Sequence, residues 1–314
     1  MRRGRIEVGP LLVRVRGPLG LVWSQRALIP GETVKVYPRV RWGGRVGQLL
    51  ALARRRELGS VPVGTRGLGG EMYALRAYQE GDPRNRIHWR ATAKRGRLVV
   101  REDVLERGAP LVVLFDCGRS MNAPIGRLGK LDYSLAAGLA MIQVAASRGD
   151  RIRAAAFSDR IETQLAVRSS QAGIRAAYEH LYDLQARPVE PLYDVAAEWV
   201  RAAASGRATV VLFTSVVDLA ASQLLQSAVR DIARRHRVLL VNLEDPVIRS
   251  LAEDAPTRAE EVFAKLYSLD ILLHNRRLAT QLRRRGITTV SASADQLALE
   301  TLEGYFALLR RPAA

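Results

Sequence analysis

A carboxylate and a hydroxyl stand four residues apart where a buried strand is expected to end. Residues 111–115 form a continuous apolar run, and Asp116 and Ser120 follow it. Such a run is typical of a strand buried on both faces of a parallel sheet. Open α/β sheets place their sites at the carboxyl ends of these strands, and Mg²⁺ prefers oxygen ligands. The spacing predicts a polar site there, either a cation site or a carboxylate that caps loop backbone N–H groups.

A second polar cluster lies upstream, in residues 71–94. Its polar, aromatic and turn residues are Glu71, Arg76, Tyr78, Gly81, Asp82, Arg86, His88 and Trp89. We favour a network in which arginine forks hold carboxylates and fix the segment against the sheet. A docking surface anchored by Trp89 is the alternative. A third interpretation, with His88 as a general base oriented by Asp82, is disfavoured because no nucleophile is identifiable nearby.

This segment closely resembles the hallmark of a bacterial and archaeal family catalogued as domain of unknown function 58. Gly-Pro-Leu-Gly-Leu at residues 17–21 and the α/β rhythm after residue 110 also fit that family. The resemblance implies a von Willebrand A-type domain encoded beside a MoxR-type AAA+ ATPase. Many members of the family begin with two membrane-spanning helices, which this sequence lacks.

The resemblance also implies a metal-ion-dependent adhesion site, whose pattern Asp-x-Ser-x-Ser is matched in part. Gly118 replaces the first serine, and Ser215 stands where a later aspartate ligand is expected. The oxygen ligands that remain are Asp116, Ser120, Asp194 and Asp218. The implied site is therefore degenerate, and we expect no cofactor, or weakly bound Mg²⁺.

Alternating strand and helix patterns in the second half predict a parallel sheet with helices on both faces. Strands are expected at residues 111–115, 150–157, 209–213, 237–242 and 287–290. Helical patterns are expected at residues 130–147, 170–184, 192–204, 220–235, 257–285 and 295–309. This order is typical of a von Willebrand A-like, Rossmann-like α/β fold.

The front of the chain has a different pattern. Alternating apolar residues in 6–16 and 33–38 predict a small antiparallel β unit, and residues 45–58 a helix. The predicted organisation is a β-rich unit (1–60), a signature segment packing on the sheet (61–108) and a von Willebrand A-like domain (109–314).

Charge is concentrated in the front half of this basic protein. The net charge is +18, and residues 1–110 hold 23 Lys and Arg against 9 Asp and Glu. Such a surface suits an acidic protein or an anionic membrane surface. Nucleic acid is disfavoured, because the basic residues form no aromatic-interleaved stripe or zinc-finger pattern.

Cysteine content and hydropathy limit the location. The single cysteine, Cys117, excludes an internal disulfide and fits a reducing compartment. No apolar stretch is long enough to span a bilayer. The sequence as given predicts a cytoplasmic protein, or a membrane-associated one if it is a fragment lacking spanning helices.

These features predict a protein-interaction module and not an enzyme. The resemblance implies an adaptor or substrate-presenting partner of a MoxR-type AAA+ ATPase, which would bind through loops at the carboxyl end of the sheet. One alternative is a metal-dependent hydrolase, which requires Asp116 and Asp218 to converge. The other is a protein that docks on anionic membranes through its basic front half.

Overall fold

The structure is a computed structural model. It describes residues 3–38, 47, 73–80, 82, 84–103, 110–204, 206–216 and 219–310. The helix expected at residues 45–58 lies outside the described residues, apart from Gly47.

The front of the chain forms two small antiparallel pairs of strands, as expected for a β-rich unit. β1 (Gly4–Val8) pairs with β4 (Glu32–Val36), and β2 (Leu11–Arg16) forms a hairpin with β3 (Trp23–Ile29). Contacts with the second half hold this unit in place. The guanidinium of Arg3 lies 2.5 Å from the Asp132 carboxylate, and Lys35 Nζ lies 2.7 Å from Glu179.

The signature segment forms a third antiparallel pair, β5 (Tyr73–Ala77) with β6 (Val99–Asp103). A short 3₁₀ turn (Arg84–Arg86) and α1 (Trp89–Arg95) connect these strands. The helix ends at Gly96, whose φ of 64° is the left-handed conformation that glycine adopts most readily. Val99 and Val100 of β6 are buried, so this segment contributes two apolar side chains to the protein interior.

A six-stranded sheet forms the centre of the second half. Its strands are β7 (Pro110–Asp116), β10 (Arg151–Phe157), β11 (Ile161–Val167), β12 (Thr209–Thr214), β13 (Arg237–Leu243) and β14 (Thr288–Ala292). They lie in the order β11-β10-β7-β12-β13-β14. All neighbours are parallel except β11, which pairs antiparallel with β10 at the edge. A short hairpin of β8 (Pro124–Ile125) and β9 (Leu128–Gly129) follows β7.

Helices cover both faces of this sheet. They are α2 (Lys130–Ser147), α3 (Gln171–Leu181), α4 (Tyr193–Ala203), α5 (Leu219–Ala233), α6 (Pro246–Glu253), α7 (Ala259–Arg284) and α8 (Leu297–Arg310). Side chains alternate between the two faces of β7: Val113 and Phe115 pack under α2 and α8, whereas Val112 and Leu114 face α4 and α5. The predicted fold class, a parallel sheet covered by helices on both faces, is therefore confirmed.

Beyond the elements of residues 73–103 and the short β8–β9 hairpin, two elements of the central sheet and its helices were not predicted from the sequence. β11 was missed because its side chains are mostly half-buried or exposed, so it lacks the apolar run of the central strands. α6 was missed because it is short and precedes the longer helix that the pattern of residues 257–285 predicts. No described helix is long and apolar enough to cross a membrane.

Candidate functional site

Asp116 ends β7 at the carboxyl edge of the sheet and is fully buried. Its Oδ1 accepts the Gly118 backbone N–H at 2.7 Å. Its Oδ2 accepts the Thr214 hydroxyl at 2.7 Å and the Tyr193 hydroxyl at 3.3 Å. Parallel pairing of β7 with β12 brings Thr214 to the same edge, and Tyr193 is the first residue of α4. Both carboxylate oxygens are therefore hydrogen-bonded by neutral groups of this chain.

These neutral donors do not offset the burial of Asp116. Burial raises the pKa of the Asp116 carboxyl to about 6, although the hydrogen bonds from Thr214, Gly118 and Tyr193 act in the opposite direction. Transfer of a carboxylate away from water disfavours its charged form, and three uncharged donors compensate only in part. Asp116 therefore has an unusually stable protonated form for an aspartate.

A buried ion pair lies at the same edge. Lys130 is the first residue of α2 and is only 1% exposed. Its Nζ lies 2.9 Å from Asp245 Oδ2 and 3.1 Å from Ser215 Oγ. Asp245 follows β13 and caps α6, because its side chain accepts the Val247 N–H at 2.9 Å. Burial raises the pKa of Asp245, but hydrogen bonding and charge from Lys130 outweigh it, so that pKa lies below its usual value.

The residues at this edge do not fit a divalent cation. A Cβ added at Gly118 would lie 2.6 Å from Pro191 Cδ, so the serine that the adhesion pattern requires has no room there. Asp194 is exposed, whereas Tyr193 before it reaches Asp116. Within the described ranges, no group of three or more His, Cys, Asp and Glu side chains is placed to hold a metal ion.

The other two predicted metal ligands, Ser120 and Asp218, do not complete a cation site among the described residues. Ser120 lies in a short 3₁₀ helix after β7 and is half-buried. Asp218 lies outside the described residues, so its convergence with Asp116, which the hydrolase alternative requires, stays a prediction.

Cys117 is not suited to nucleophilic catalysis. It is completely buried between β7 and the loop that follows. Burial, and then the neighbouring Asp116 charge, raise the pKa of its thiol far above the usual value. The thiolate is the nucleophilic form of cysteine, so this side chain is chemically inert.

Backbone hydrogen bonds hold the edge loops together. The Arg119 N–H donates to Val189 O at 2.9 Å, and the Arg187 N–H donates to Cys117 O at 2.7 Å. On the solvent side of this pair of loops, the exposed side chains of Arg119 and Glu190 form an ion pair. The loop after β7 is thus tied to residues 187–189, and the surface above the buried site carries charged side chains.

Two helices lie beside this edge: α6 and the first half of α7, residues 259–274, together called the α6–α7 overhang. Asn275 Nδ2 donates to Val216 O, just after β12, which marks where α7 crosses the carboxyl edge. Residues 259–274 form the part of α7 that precedes this point, and α6 packs against α7. Seven large apolar side chains of this overhang are exposed, and together they are called the apolar cluster: Val247, Leu251, Val262, Phe263, Leu266, Tyr267 and Leu273.

The structure brings together one pair of the signature residues. Arg76 binds Asp82 through two parallel hydrogen bonds of 2.6 Å, and Asp82 also accepts the Gln79 N–H. This is the forked geometry that the network interpretation predicts. Such a pair fixes the turn after β5.

The other signature residues make the contacts that follow or lie outside the described residues. His88 Nδ1 accepts the Ala91 N–H at the start of α1, which is a capping contact. Trp89 is 68% exposed, and the Tyr78 N–H donates to Leu98 O. Glu71, Gly81 and the side chain of Arg86 lie outside the described residues.

Sequence reasoning missed four residues of the buried edge as site members: Lys130, Tyr193, Thr214 and Asp245. Tyr193 and Thr214 are recognisable only once α4 and β12 are known to end beside Asp116. Lys130 carries no signal, since a lysine at a helix start is usually solvated.

Strand order and direction, with polar side chains gathered where β7, β12 and β13 end, define a von Willebrand A-like α/β domain. The chain belongs to the family described as "Protein of unknown function DUF58", whose model matches residues 74–265. This confirms the resemblance read from the signature segment. No curated protein matches the chain.

Solved structures with a similar fold are distant in sequence. A von Willebrand factor type A protein from Catenulispora acidiphila is 15% identical, with a TM-score of 0.41, over 67% of this chain and 44% of that protein. The chain thus spans less than half of that protein. The conserved hypothetical protein BatB from Bacteroides thetaiotaomicron is 12% identical, with a TM-score of 0.41, over 65% of this chain and 100% of BatB. The SpRpn10 VWA domain is 11% identical, with a TM-score of 0.37, over 67% of this chain and 100% of that domain.

Proposed function

We propose that this protein is an interaction module that binds a protein partner at the carboxyl edge of its sheet and catalyses no reaction. The observation that carries the proposal is the apolar cluster on the α6–α7 overhang. Phe263 is 74% exposed and Tyr267 is 65% exposed, and Leu266 lies between them. Large apolar side chains gathered on one rim are typical of protein interfaces, where aromatic residues supply much of the affinity.

The surroundings of the overhang support binding over chemistry. Asp116, which ends β7 at the carboxyl edge of the sheet, is buried and engaged by neutral donors, and the thiol of Cys117 is buried. Backbone hydrogen bonds join the loop after β7 to residues 187–189. A rigid edge loses little conformational entropy when a partner binds.

We propose a MoxR-type AAA+ ATPase as the partner, with this protein as its adaptor or substrate-presenting factor. The support for this identity is the family resemblance of the signature segment. The exposed apolar side chains of the overhang would form the contact with a folded partner, and the exposed Arg119–Glu190 pair, on the loops at the end of β7, would contribute to its orientation by charge.

Recovery of a purified MoxR-type AAA+ ATPase by this protein tests the proposal. The wild type is compared with the double variant Phe263→Ser/Tyr267→Ser and with Leu224→Ser, a control at an exposed leucine of α5. Loss of an aromatic anchor costs about 2 kcal/mol, so binding should weaken roughly 30-fold or more in the double variant. The control should bind like the wild type.

Three outcomes are informative. Equal binding by the wild type and the double variant would show that the overhang is not the contact surface. No binding by the wild type would remove the ATPase as the partner. Equal weakening in the Leu224→Ser control would mean that the effect is not specific to the overhang.

A further inference from the structure

The ends of β12 and β13 offer oxygen atoms that converge on one point inside the protein. Ser215 follows β12 and Asp245 follows β13, and Nζ of Lys130 lies 3.1 Å from the Ser215 hydroxyl oxygen and 2.9 Å from the Asp245 carboxylate. The Ser215 hydroxyl in turn donates to Leu243 O at 3.3 Å. The ammonium group thus occupies a position between oxygen atoms of two neighbouring strand ends.

Lys130 is the one buried lysine among the described residues. Its side chain is 1% exposed, whereas that of Lys35, paired with Glu179, is 48% exposed. A lysine is almost never fully buried unless it is paired. Nor can the buried Lys130 ammonium contact a partner from solution, so its role lies within the edge.

Two features of the same edge oppose the binding of a metal ion: crowding with occupied oxygens around Asp116, and the positive charge of Lys130. Pro191 fills the space that a side chain at position 118 would need, and the three donors to Asp116 already engage both of its oxygens. A divalent cation placed beside the Ser215 and Asp245 oxygens would meet the positive charge of Lys130 at close range. These residues are arranged around a cation that belongs to the chain.

We propose that the ammonium group of Lys130 is the built-in cation of this edge and stands in for a bound divalent metal ion. It joins the oxygen atoms at the ends of β12 and β13, so the edge keeps its shape without any added ion. This inference concerns the edge itself and does not depend on the partner proposed above, because its test measures metal binding and not partner binding.

The alternative is that Lys130 and Asp245 form an ordinary structural ion pair. The two ideas differ in what remains when the ammonium is removed. In Lys130→Ala, a vacated space would be lined by the Asp245 carboxylate and the Ser215 hydroxyl, which are hard oxygen ligands suited to Mn²⁺. If the ammonium replaces a metal ion, this variant gains a Mn²⁺ site; if the pair is ordinary, it gains none.

Mn²⁺ titration followed by electron paramagnetic resonance is the direct measurement. We expect no saturable binding by the wild type or by Lys35→Ala, the matched control at an exposed lysine–glutamate pair. Lys130→Ala should bind one Mn²⁺, and Lys130→Ala/Asp245→Asn should lose it again. At about ten times the dissociation constant, Mn²⁺ should raise the thermal midpoint of Lys130→Ala by roughly 3–6 °C and leave the wild type unchanged.

Two results would overturn the proposal: saturable Mn²⁺ binding by the wild type that disappears in Asp116→Asn, or a folded Lys130→Ala without a Mn²⁺ site. If Lys130→Ala does not fold, Lys130→Ser carries the same titration, since its short side chain also leaves the space beside Asp245 open. If neither folds alone, refolding with Mn²⁺ decides. Recovery only in its presence supports the proposal, and no recovery in its presence contradicts it.

Discussion

Two carboxylates at the carboxyl edge, Asp116 after β7 and Asp245 after β13, face opposite environments. Asp116 is fully buried among neutral donors, and burial raises its pKa to about 6. Asp245 has an ammonium group at 2.9 Å, and the charge of Lys130 outweighs burial and lowers its pKa. The two carboxyls differ both in burial, since the Asp245 side chain is 15% exposed, and in partner, since only Asp245 has a charged one. Burial raises the pKa of both, and the hydrogen bond and charge of Lys130 reverse the direction at Asp245.

Removal of the ammonium should have the largest effect. Lys130→Met keeps the length of the side chain but leaves Asp245 without its charge partner. Breaking a buried pair by removing one member costs about 3–5 kcal/mol. We expect a loss of that size in the free energy of unfolding, measured by urea denaturation at neutral pH.

The double variant Lys130→Met/Asp245→Asn sharpens this prediction. It removes the carboxylate charge together with the ammonium, so it should be more stable than Lys130→Met alone. Lys35→Met, at an exposed pair, should leave the free energy of unfolding almost unchanged. A Lys130→Met protein as stable as the wild type would show that the pair contributes nothing to this edge.

The two carboxylates also show which features of the edge could be predicted from the sequence. The apolar run at residues 111–115 predicts β7, and the end of that strand predicts a polar site at Asp116, because strand burial is a local property of the sequence. The partners of Asp116 could not be predicted in the same way. Tyr193 and Thr214 reach it only after α4 and β12 have packed beside β7.

The Lys130–Asp245 pair illustrates the same limit more strongly. Lys130 begins a helix and Asp245 follows a strand far along the chain, and each is an ordinary surface residue when read locally. Only the parallel order of β7, β12 and β13 brings them together. The fold was therefore predictable from local patterns, whereas the ion pair depends on long-range packing.

The pH dependence of stability should show the second-largest effect. The folded pKa of Asp116, about 6, lies above the ordinary value of 3.8, so the folded state binds more protons than the unfolded state between these values. The stabilising contribution of Asp116 is therefore complete below about pH 4 and is lost as the pH rises through 6. The loss amounts to about 3 kcal/mol by pH 7.

Comparison with Asp116→Asn isolates this contribution, because asparagine does not titrate. The stability difference between wild type and variant should fall by about 3 kcal/mol between pH 4 and pH 7, measured by urea denaturation across that range. Asp245 behaves in the opposite way, since its lowered pKa gives stability that is lost only as the pH falls below its usual titration range. A constant difference between wild type and Asp116→Asn would contradict the raised pKa.

The smallest effect should come from Tyr193→Phe, which removes one neutral donor. The Tyr193 hydroxyl lies 3.3 Å from Asp116 Oδ2 and 3.1 Å from Thr214 Oγ1, so its loss should cost about 1 kcal/mol. The pKa of Asp116 should then rise further, and the decline in stability should extend to higher pH. Tyr133→Phe is the matched control, because its hydroxyl donates to Ile125 O at 3.2 Å and not to a carboxylate. If both variants lose stability but only Tyr193→Phe changes the pH profile, the neutral donors set the charge of Asp116; an identical profile in the two would assign that role to burial alone.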